Sequence, residues 1–434
     1  MYTRDEARVT IERDWLYQVG GKPDVWQEIA RTRTVASRLG VQAYELDSLA
    51  LEASNDSLSA ENKIALYLSV RRIRRGLMLG NPVVNFVQVL MVDVSCPEGA
   101  ERTYATCPPP GRCSAAPGGH LIVVDGLSLD GKARSLMPQA PLYGSFRRPD
   151  LSFDGRRVLF SFKPHSEESF HIYEISLDGT GLRQITSGTC DDFDPVYLPD
   201  GKGFIFSTTR WNTRAHGLPS ADAWMLAQCG PDGGEPRLLS ANSGSACSPA
   251  VMNDGRILYK RSAKLTGEPL RRTQELWTMN SDGTQPAIFG LTRSVCPDFM
   301  RDARPIPGSR RVMFSGCART NAFAGSIGIL DPDKGTDVPN RLTRVTAEIG
   351  WPESGNGPAA TIESPDYHAY GNTDSYQTPY PLGKKDFLVS ALRGGKFVLY
   401  LMDTDGNREL VYEGANHVFH AQPVRSRPVP PVPH

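Results

Sequence analysis

The sequence carries no net charge, since Lys plus Arg and Asp plus Glu each number 48. A chain so balanced sets up no global field to hold nucleic acid or an anionic membrane, so neither is expected as a partner and any charged ligand must be held locally. Its eight cysteines, Cys96, Cys107, Cys113, Cys190, Cys229, Cys247, Cys296 and Cys317, include no Cys-x-x-Cys pair and no Cys-x-x-Cys-His. That absence removes attached c-type haem and ribbon-type zinc, and no cofactor or metal is expected. The cysteines read either as disulfides of an oxidising compartment, with Cys107 and Cys113 the local pair in a Pro-rich loop, or as free and buried thiols. Gly-x-Ser-x-Gly is missing too, so a serine hydrolase is not expected; the look-alike Gly325-Ser326-Ile327-Gly328 falls in a predicted strand. No apolar run approaches the length of a membrane span. Met1 to Trp15 carries charge at Arg4, Asp5, Glu6, Arg8, Glu12, Arg13 and Asp14, leaving no apolar core for a signal peptide. The expected location is cytoplasmic as the sequence stands, or periplasmic or secreted if a leader is missing from its front.

Turn chemistry, by contrast, is abundant. The 434 residues hold 41 Gly and 34 Pro beside a hydrophobic content of 39%, which suits an all-β fold with many tight turns. The length admits one large repeat domain with an appendage. Residues 1–80 read as a helical N-terminal arm. Asp24 can cap a helix running to Leu39 before Gly40, and Ser59 can cap a second ending near Leu79 and Gly80. In the second, Leu66, Val70, Ile73 and Leu77 share one face, as a helix lying on another body needs. Arg71, Arg72, Arg74 and Arg75 crowd its remaining surface and read as a solvated face with local ion pairs, the alternative being an anion-binding patch. From Asn81 onward the texture turns β-rich, beginning with the run from Val83 to Val94.

Between 81 and about 425 a unit recurs: Pro, a few residues, Asp-Gly, an apolar strand, an aromatic-rich strand and a second Asp-Gly turn. Clear copies open at Pro149 with Asp154-Gly155, at Pro195 with Asp200-Gly201 and at Pro249 with Asp254-Gly255, the Pro standing six positions before the Gly each time. Weaker copies open at Pro305 and Pro381, and the segment from Asn81 to about Gln139 makes a degenerate sixth. Four short strands per copy is the content of one propeller blade, which cannot bury both faces alone. The predicted architecture is a six-bladed β-propeller preceded by a short α-helical arm. Gln422-Pro423-Val424 repeats a blade opening without its continuation, so it is placed against the first blade to close the ring. Residues 426–434, with Pro428, Pro430, Pro431 and Pro433, form a stiff extended tail that reads as a linker or exit.

At this point the residues resemble a known family. The Asp-Gly-Thr turns after Tyr173 and Trp277, with the Pro-x-x-x-x-Asp-Gly openings, look like the WD40-like repeats of TolB-type propellers. The run Pro149-Asp150-Leu151-Ser152-Phe153-Asp154-Gly155, then Leu182-Arg183-Gln184 and Asp192-Phe193-Asp194-Pro195, resembles the middle domain of the hydrazine synthase α subunit. Asp254-Gly255-Arg256-Ile257, Ala303 to Ser309, Trp351-Pro352-Glu353-Ser354, Tyr380-Pro381-Leu382 and Arg427-Pro428 resemble it too. The resemblance covers roughly residues 80–430 and implies the fold, within large proteins of planctomycete-type bacteria. In that family the reaction belongs to c-type haems in flanking domains, and this chain has no motif to attach one, so the resemblance implies no activity here.

In this propeller type the strand after the opening Pro is innermost, so the residues just before each Pro should ring one mouth of the central channel. They are Arg148, Asp194, Ser248, Arg304, Tyr380 and Gln422, with Asp192 beside them. Two guanidinium groups, carboxylates and a phenol suit a polar ligand, a peptide terminus or a sugar acid, or else they pair with each other. Asp191-Asp192-Phe193-Asp194 could offer oxygens to a hard cation but lacks the spacing of a calcium loop, and reads also as a turn whose Asp side chains cap backbone amides. His417 and His420 are read as part of a loop or closing strand rather than a metal pair, and His165 and His171 as surface residues. No catalytic residue can be named. The function expected is a binding or scaffolding propeller that docks a protein or small polar ligand at the channel mouth. The alternative is a subunit or piece of a larger, redox-linked, hydrazine-synthase-like enzyme whose cofactor domain is absent from this chain.

Overall fold

The computed structural model describes residues 2–95, 118–141, 144–165, 168–211, 214–215, 218–240, 245–264, 272–290, 297, 299–317, 325–334, 341–346, 348–349, 351 and 375–433. Four helices come first: α1 (Arg4–Gln18), α2 (Val25–Leu39), α3 (Glu45–Ala53) and α4 (Ala60–Leu79). Asp24 and Ser59 cap α2 and α4 by accepting from the amides of Gln27 and Asn62, and Gly40 ends α2 in the left-handed conformation at φ 67°. Residues 83–87, expected as strand, instead continue a turn that begins at Asn81. Asn81 accepts from the Val83 amide through its side chain and from the Val84 amide through its carbonyl, and Pro82 offers no donor to a ladder.

Six four-stranded antiparallel sheets follow. Blade 1 holds β1 (Gln88–Val94), β2 (His120–Asp125) and β3 (Lys132–Ser135). Blade 2 holds β4 (Ser145–Leu151), β5 (Arg157–Lys163), β6 (His171–Ser176) and β7 (Arg183–Gln184). Blade 3 holds β8 (Asp192–Tyr197) and β9 (Phe204–Thr208), an inserted hairpin of β10 (Arg214–Ala215) and β11 (Leu218–Asp222), then β12 (Met225–Gly230) and β13 (Gly233–Leu238). Blade 4 holds β14 (Ala246–Val251), β15 (Ile257–Lys264), β16 (Arg272–Met279) and β17 (Ala287–Gly290). Blade 5 holds β18 (Phe299–Pro305), β19 (Val312–Cys317), β20 (Gly325–Leu330) and β21 (Leu342–Arg344). Blade 6 holds β22 (Tyr376–Pro381), β23 (Asp386–Arg393), β24 (Lys396–Asp403) and β25 (Arg408–Tyr412). The last strand, β26 (His417–Pro423), returns to pair with β1, Leu90 opposite Gln422 and Val89 opposite Pro423. Blade 1 thus takes its inner strand from the far end of the sequence, and the ring closes without a free edge at its seam. Apolar strand faces fill the wedges between blades, as where Leu90, Val92 and Val123 of blade 1 meet Phe146, Val158 and Phe160 of blade 2.

The arm docks on blade 6, and here the reading of the α4 arginines is corrected. Arg71 and Arg74 are only 1% and 2% exposed. Arg71 donates to Glu409 of β25 at 3.3 Å, Arg74 pairs with Glu28 of α2 at 2.6 Å, and Trp15 Nε1 of α1 donates to Glu409 at 2.8 Å. Arg75 reaches Leu410 O at 2.9 Å, while Arg72 alone stays outside, on Glu12. The cluster is neither a solvated face nor an open anion patch; it is the polar half of the arm's seat, beside an apolar half of Leu66, Val70, Phe387 and Val398.

Two further expectations change. Residues 425–433 lie on the ring instead of leading away: the Arg427 amide donates to Phe153 O, and a Cβ on Gly155 would come within 2.9 Å of Arg425 C. His171 is buried, not superficial, with Nδ1 3.5 Å from Asp192 Oδ2. Cys190, Cys229, Cys247 and Cys317 are thiols rather than half-cystines, the last three buried. Cys96, Cys107, Cys113 and Cys296 lie outside the described residues, and with them the Cys107–Cys113 pairing. No described helix is long and apolar enough to cross a membrane.

Candidate functional site: the central channel

The opening Pro lies within the inner strand of its blade, as Pro149 in β4 and Pro195 in β8, and the strand after it is second, not innermost as expected. Each inner strand carries a β-bulge, and the bulges set what faces the channel. The ladder slips between Arg147 and Asp150, Phe193 and Val196, Cys247 and Ala250, Arg301 and Arg304, and Gln377 and Tyr380. In the closing strand it slips between Phe419 and Gln422. The structurally equivalent residues are therefore Arg148, Asp194, Ser248, Asp302, Thr378 and His420. Five of these six hold left-handed backbone, with φ of 52° at Asp194, 57° at Ser248, 50° at Asp302 and Thr378, and 57° at His420. Such a conformation is costly without glycine, by about 1 kcal/mol or more each.

A second repeat, not noticed in the sequence, holds several of these bulges. The second strand of a blade ends its apolar run with serine, at Ser161, Ser207, Ser315 and Ser390. The amides of Asp194, Ser248 and Thr378 donate to the hydroxyls of Ser161, Ser207 and Ser315 of the preceding blade at 3.1, 3.1 and 3.0 Å. Thr378 Oγ1 and Ser390 Oγ are 3.0 Å apart, and the same threonine oxygen accepts from the His420 amide at 3.1 Å. The recurring apolar-apolar-apolar-Ser ending was the available signal.

The predicted ring is thus split between two levels. Arg148, Asp194 and Ser248 share the bulge level; Arg304, Tyr380 and Gln422 stand two residues further along, level with Asp150. Ser248 Oγ donates to Asp194 Oδ2 at 3.0 Å, Arg148 Nη2 donates to Pro249 O at 3.2 Å, and Arg148 Nη1 stands 3.9 Å from Asp194 Oδ2. Burial works to raise the Asp194 pKa, but Arg148 and then Arg147 hold it below the usual carboxylate value. Gln422 is consumed as a brace, donating to Pro149 O and accepting from the Leu151 amide at 3.3 Å. Asp192 lies away from the channel, completely buried and satisfied by Thr208 and Arg210. Asp191 accepts from the Phe170 amide at 2.9 Å, which is the amide-capping role. Among the described residues no group of three or more His, Cys, Asp or Glu side chains could hold a metal ion.

Three channel residues were missed, Asp302, Thr378 and His420. His420 faces Asp302 with Nδ1 3.8 Å from Oδ1, and the side chains of His420, Asp194 and Asp302 keep 16%, 15% and 10% exposure although protein surrounds them. They therefore line a channel, not a packed core. Burial lowers the His420 pKa to about 4, with Arg148 reinforcing and Asp302 opposing, so the ring is neutral at pH 7.

Arg304 stands apart. Its guanidinium lies 5.0 Å over the Tyr380 ring, and among the described residues it makes no hydrogen bond and no ion pair. Burial lowers its pKa to about 10, with Arg148 and Arg427 pushing the same way and Tyr380 and Asp150 opposing. A cation so placed, half-buried on a water-accessible channel, has its fork of donors open to a ligand.

Together these features define the chain as a six-bladed β-propeller with a polar, arginine-containing channel. No family model and no curated protein matches the sequence. Among solved structures the chain is similar to hydrazine synthase of Kuenenia stuttgartiensis, with a TM-score of 0.63 and 16% identity over 80% of this chain and 48% of that one. It is also similar to TolB from Acinetobacter baumannii (TM-score 0.49, 12% identity, 81% and 72% covered) and to oligogalacturonate lyase from Vibrio parahaemolyticus (0.40, 14%, 65% and 72%). The chain spans about half the length of the hydrazine synthase chain it matches. At these identities the likeness is one of fold alone.

Proposed function

We propose that the chain is a binding propeller whose channel holds the negatively charged end of a small polar ligand or peptide at Arg304. The carrying observation is that this guanidinium, inside the ring and open to the channel, lies over the Tyr380 ring but makes no hydrogen bond and no ion pair among the described residues. An unpaired charge removed from bulk water is costly, and a carboxylate that accepts two parallel hydrogen bonds offsets that cost. The ring of strained bulges supports the same place, because strain of this kind gathers at ligand clamps. Arg148 is held in part by the scaffold, since Nη2 donates to Pro249 O, while Nη1, 3.9 Å from Asp194 Oδ2, is buried without a hydrogen-bond partner among the described residues.

The test is Arg304→Gln, followed by thermal shift and calorimetry with acetate, citrate and galacturonate. At one hundred times its Kd a ligand stabilises the fold by about 2.7 kcal/mol, so at least one carboxylate should raise the wild-type midpoint by degrees. Arg304→Gln should abolish the response while melting no lower than wild type. Equal responses in both proteins, or none in the wild type, would remove the proposal.

A second reading keeps the propeller as the scaffold of a larger, redox-linked enzyme whose cofactor belongs to another domain. It is supported by the chain's matching only 48% of the hydrazine synthase chain.

A further inference from the structure

We propose that residues 425–433 are a strap closing one mouth of the channel, with Arg427 as its latch; the strap's purpose, though not its test, rests on the channel being the binding site. The hairpins joining first to second and third to fourth strands, including the Asp-Gly turns, all open on one face of the ring. The strap crosses that face. Arg425 donates to Val83 O at 3.0 Å and to Asn85, and the Arg427 amide donates to Phe153 O at 2.9 Å. Further on, Val429 lies over Leu198 and Pro199 of blade 3, and a Cβ on Gly255 of blade 4 would run into Pro431 O. The glycine of a repeat turn is thus also what lets the strap lie flat there.

Arg427 is placed near the ring axis. Its Nη2 reaches both carboxylate oxygens of Asp150 at 3.0 and 3.2 Å and also Leu151 O, and its guanidinium lies 4.5 Å over Phe153. Asp150 holds its pKa up against burial, and Tyr380 and Tyr197 act on it too. In turn its charge acts on Arg304. Asp150 and Leu151 belong to the inner strand of blade 2, and Asp150 is the register equivalent of Arg304, so a side chain bound to them lies at the channel rim, at the level where Arg304 stands. Beyond the latch the strap is loosely held. Val429 is 58% exposed, and beneath it a cavity of about 330 Å³, lined by Tyr197, Leu198, Pro199 and Phe204, is left unfilled. The Arg427–Asp150 pair is the side-chain hold over the channel rim, between the anchors at Arg425 and at Pro431, and releasing that pair opens the mouth above Arg304.

The experiment labels Ser248→Cys, at the bulge level, with the anionic 2-sulfonatoethyl methanethiosulfonate and the neutral methyl methanethiosulfonate, reading the modified peptide by mass. Arg427→Ala should raise the labelling rate at least tenfold for both reagents. Asp150→Asn with Arg427→Ala removes both charges at once, so no buried carboxylate is stranded, and should give the same increase at an unchanged melting temperature. Unchanged rates in the folded double variant overturn the strap. Arg304→Gln separates the two readings: it should slow the anionic reagent relative to the neutral one, and if it does not, the anion site fails while the strap is judged on Arg427 alone.

Discussion

His420 shows how much one residue of the channel can carry. Unfolded, its imidazole takes a proton near its ordinary value of 6.5; folded, it does so only near 4. Between those values the unfolded chain binds the extra proton, so stability is complete above about pH 6.5 and is lost as pH falls toward 4. The gap corresponds to about 3 kcal/mol. His420→Asn tolerates the positive φ and should flatten the acid limb of a urea stability series run from pH 7 to pH 4; an unaltered slope would show that another group titrates there. This residue was not legible in the sequence, because the Pro used as a ruler changes register. Pro149 and Pro195 precede the first apolar residue of the next strand, Val158 and Phe204, by nine positions, whereas Pro305 precedes Val312 by seven. Ala303 restores the nine and puts Asp302, not Arg304, on the bulge. The same two-residue offset hid Thr378 behind Tyr380 and His420 behind Gln422.

At the scale of elements, local signals were read well and distant ones were not. Caps and stops of α2 and α4 lie within a few residues of what they serve, so Asp24, Gly40 and Ser59 declared themselves. The α4 arginines did not, because their acceptor Glu409 lies 338 residues from Arg71. Glu409 is completely buried and meets Arg71, Arg74, Arg75 and Trp15. Removing one partner of such a cluster leaves uncompensated charge, a loss of about 3 to 5 kcal/mol. Glu409→Gln should therefore loosen the arm before the ring. Trypsin should cut after Arg71 and Arg74 much faster than in the wild type while the propeller core stays resistant, and equal cutting would mean the apolar half of the seat suffices.

For the molecule as a whole, ring closure was readable because a blade opening without a blade has only one place to go. What the sequence could not show is how the seam is locked. Gln422 of the closing strand reaches across to blade 2, accepting from the Leu151 amide and donating to Pro149 O. Asp150, its equivalent in blade 2, likewise accepts from the Tyr197 amide of blade 3 at 3.0 Å. The seam is thus braced like an ordinary blade boundary, and the ring should unfold as one unit. Gln422→Met keeps the volume but strands a buried amide and a buried carbonyl, which costs about 2 to 4 kcal/mol. The midpoint of thermal unfolding should fall by several degrees with a single transition retained. If the variant melts in two steps, the closing strand is releasing blade 1 ahead of the rest, and the seam is the weak point of the ring.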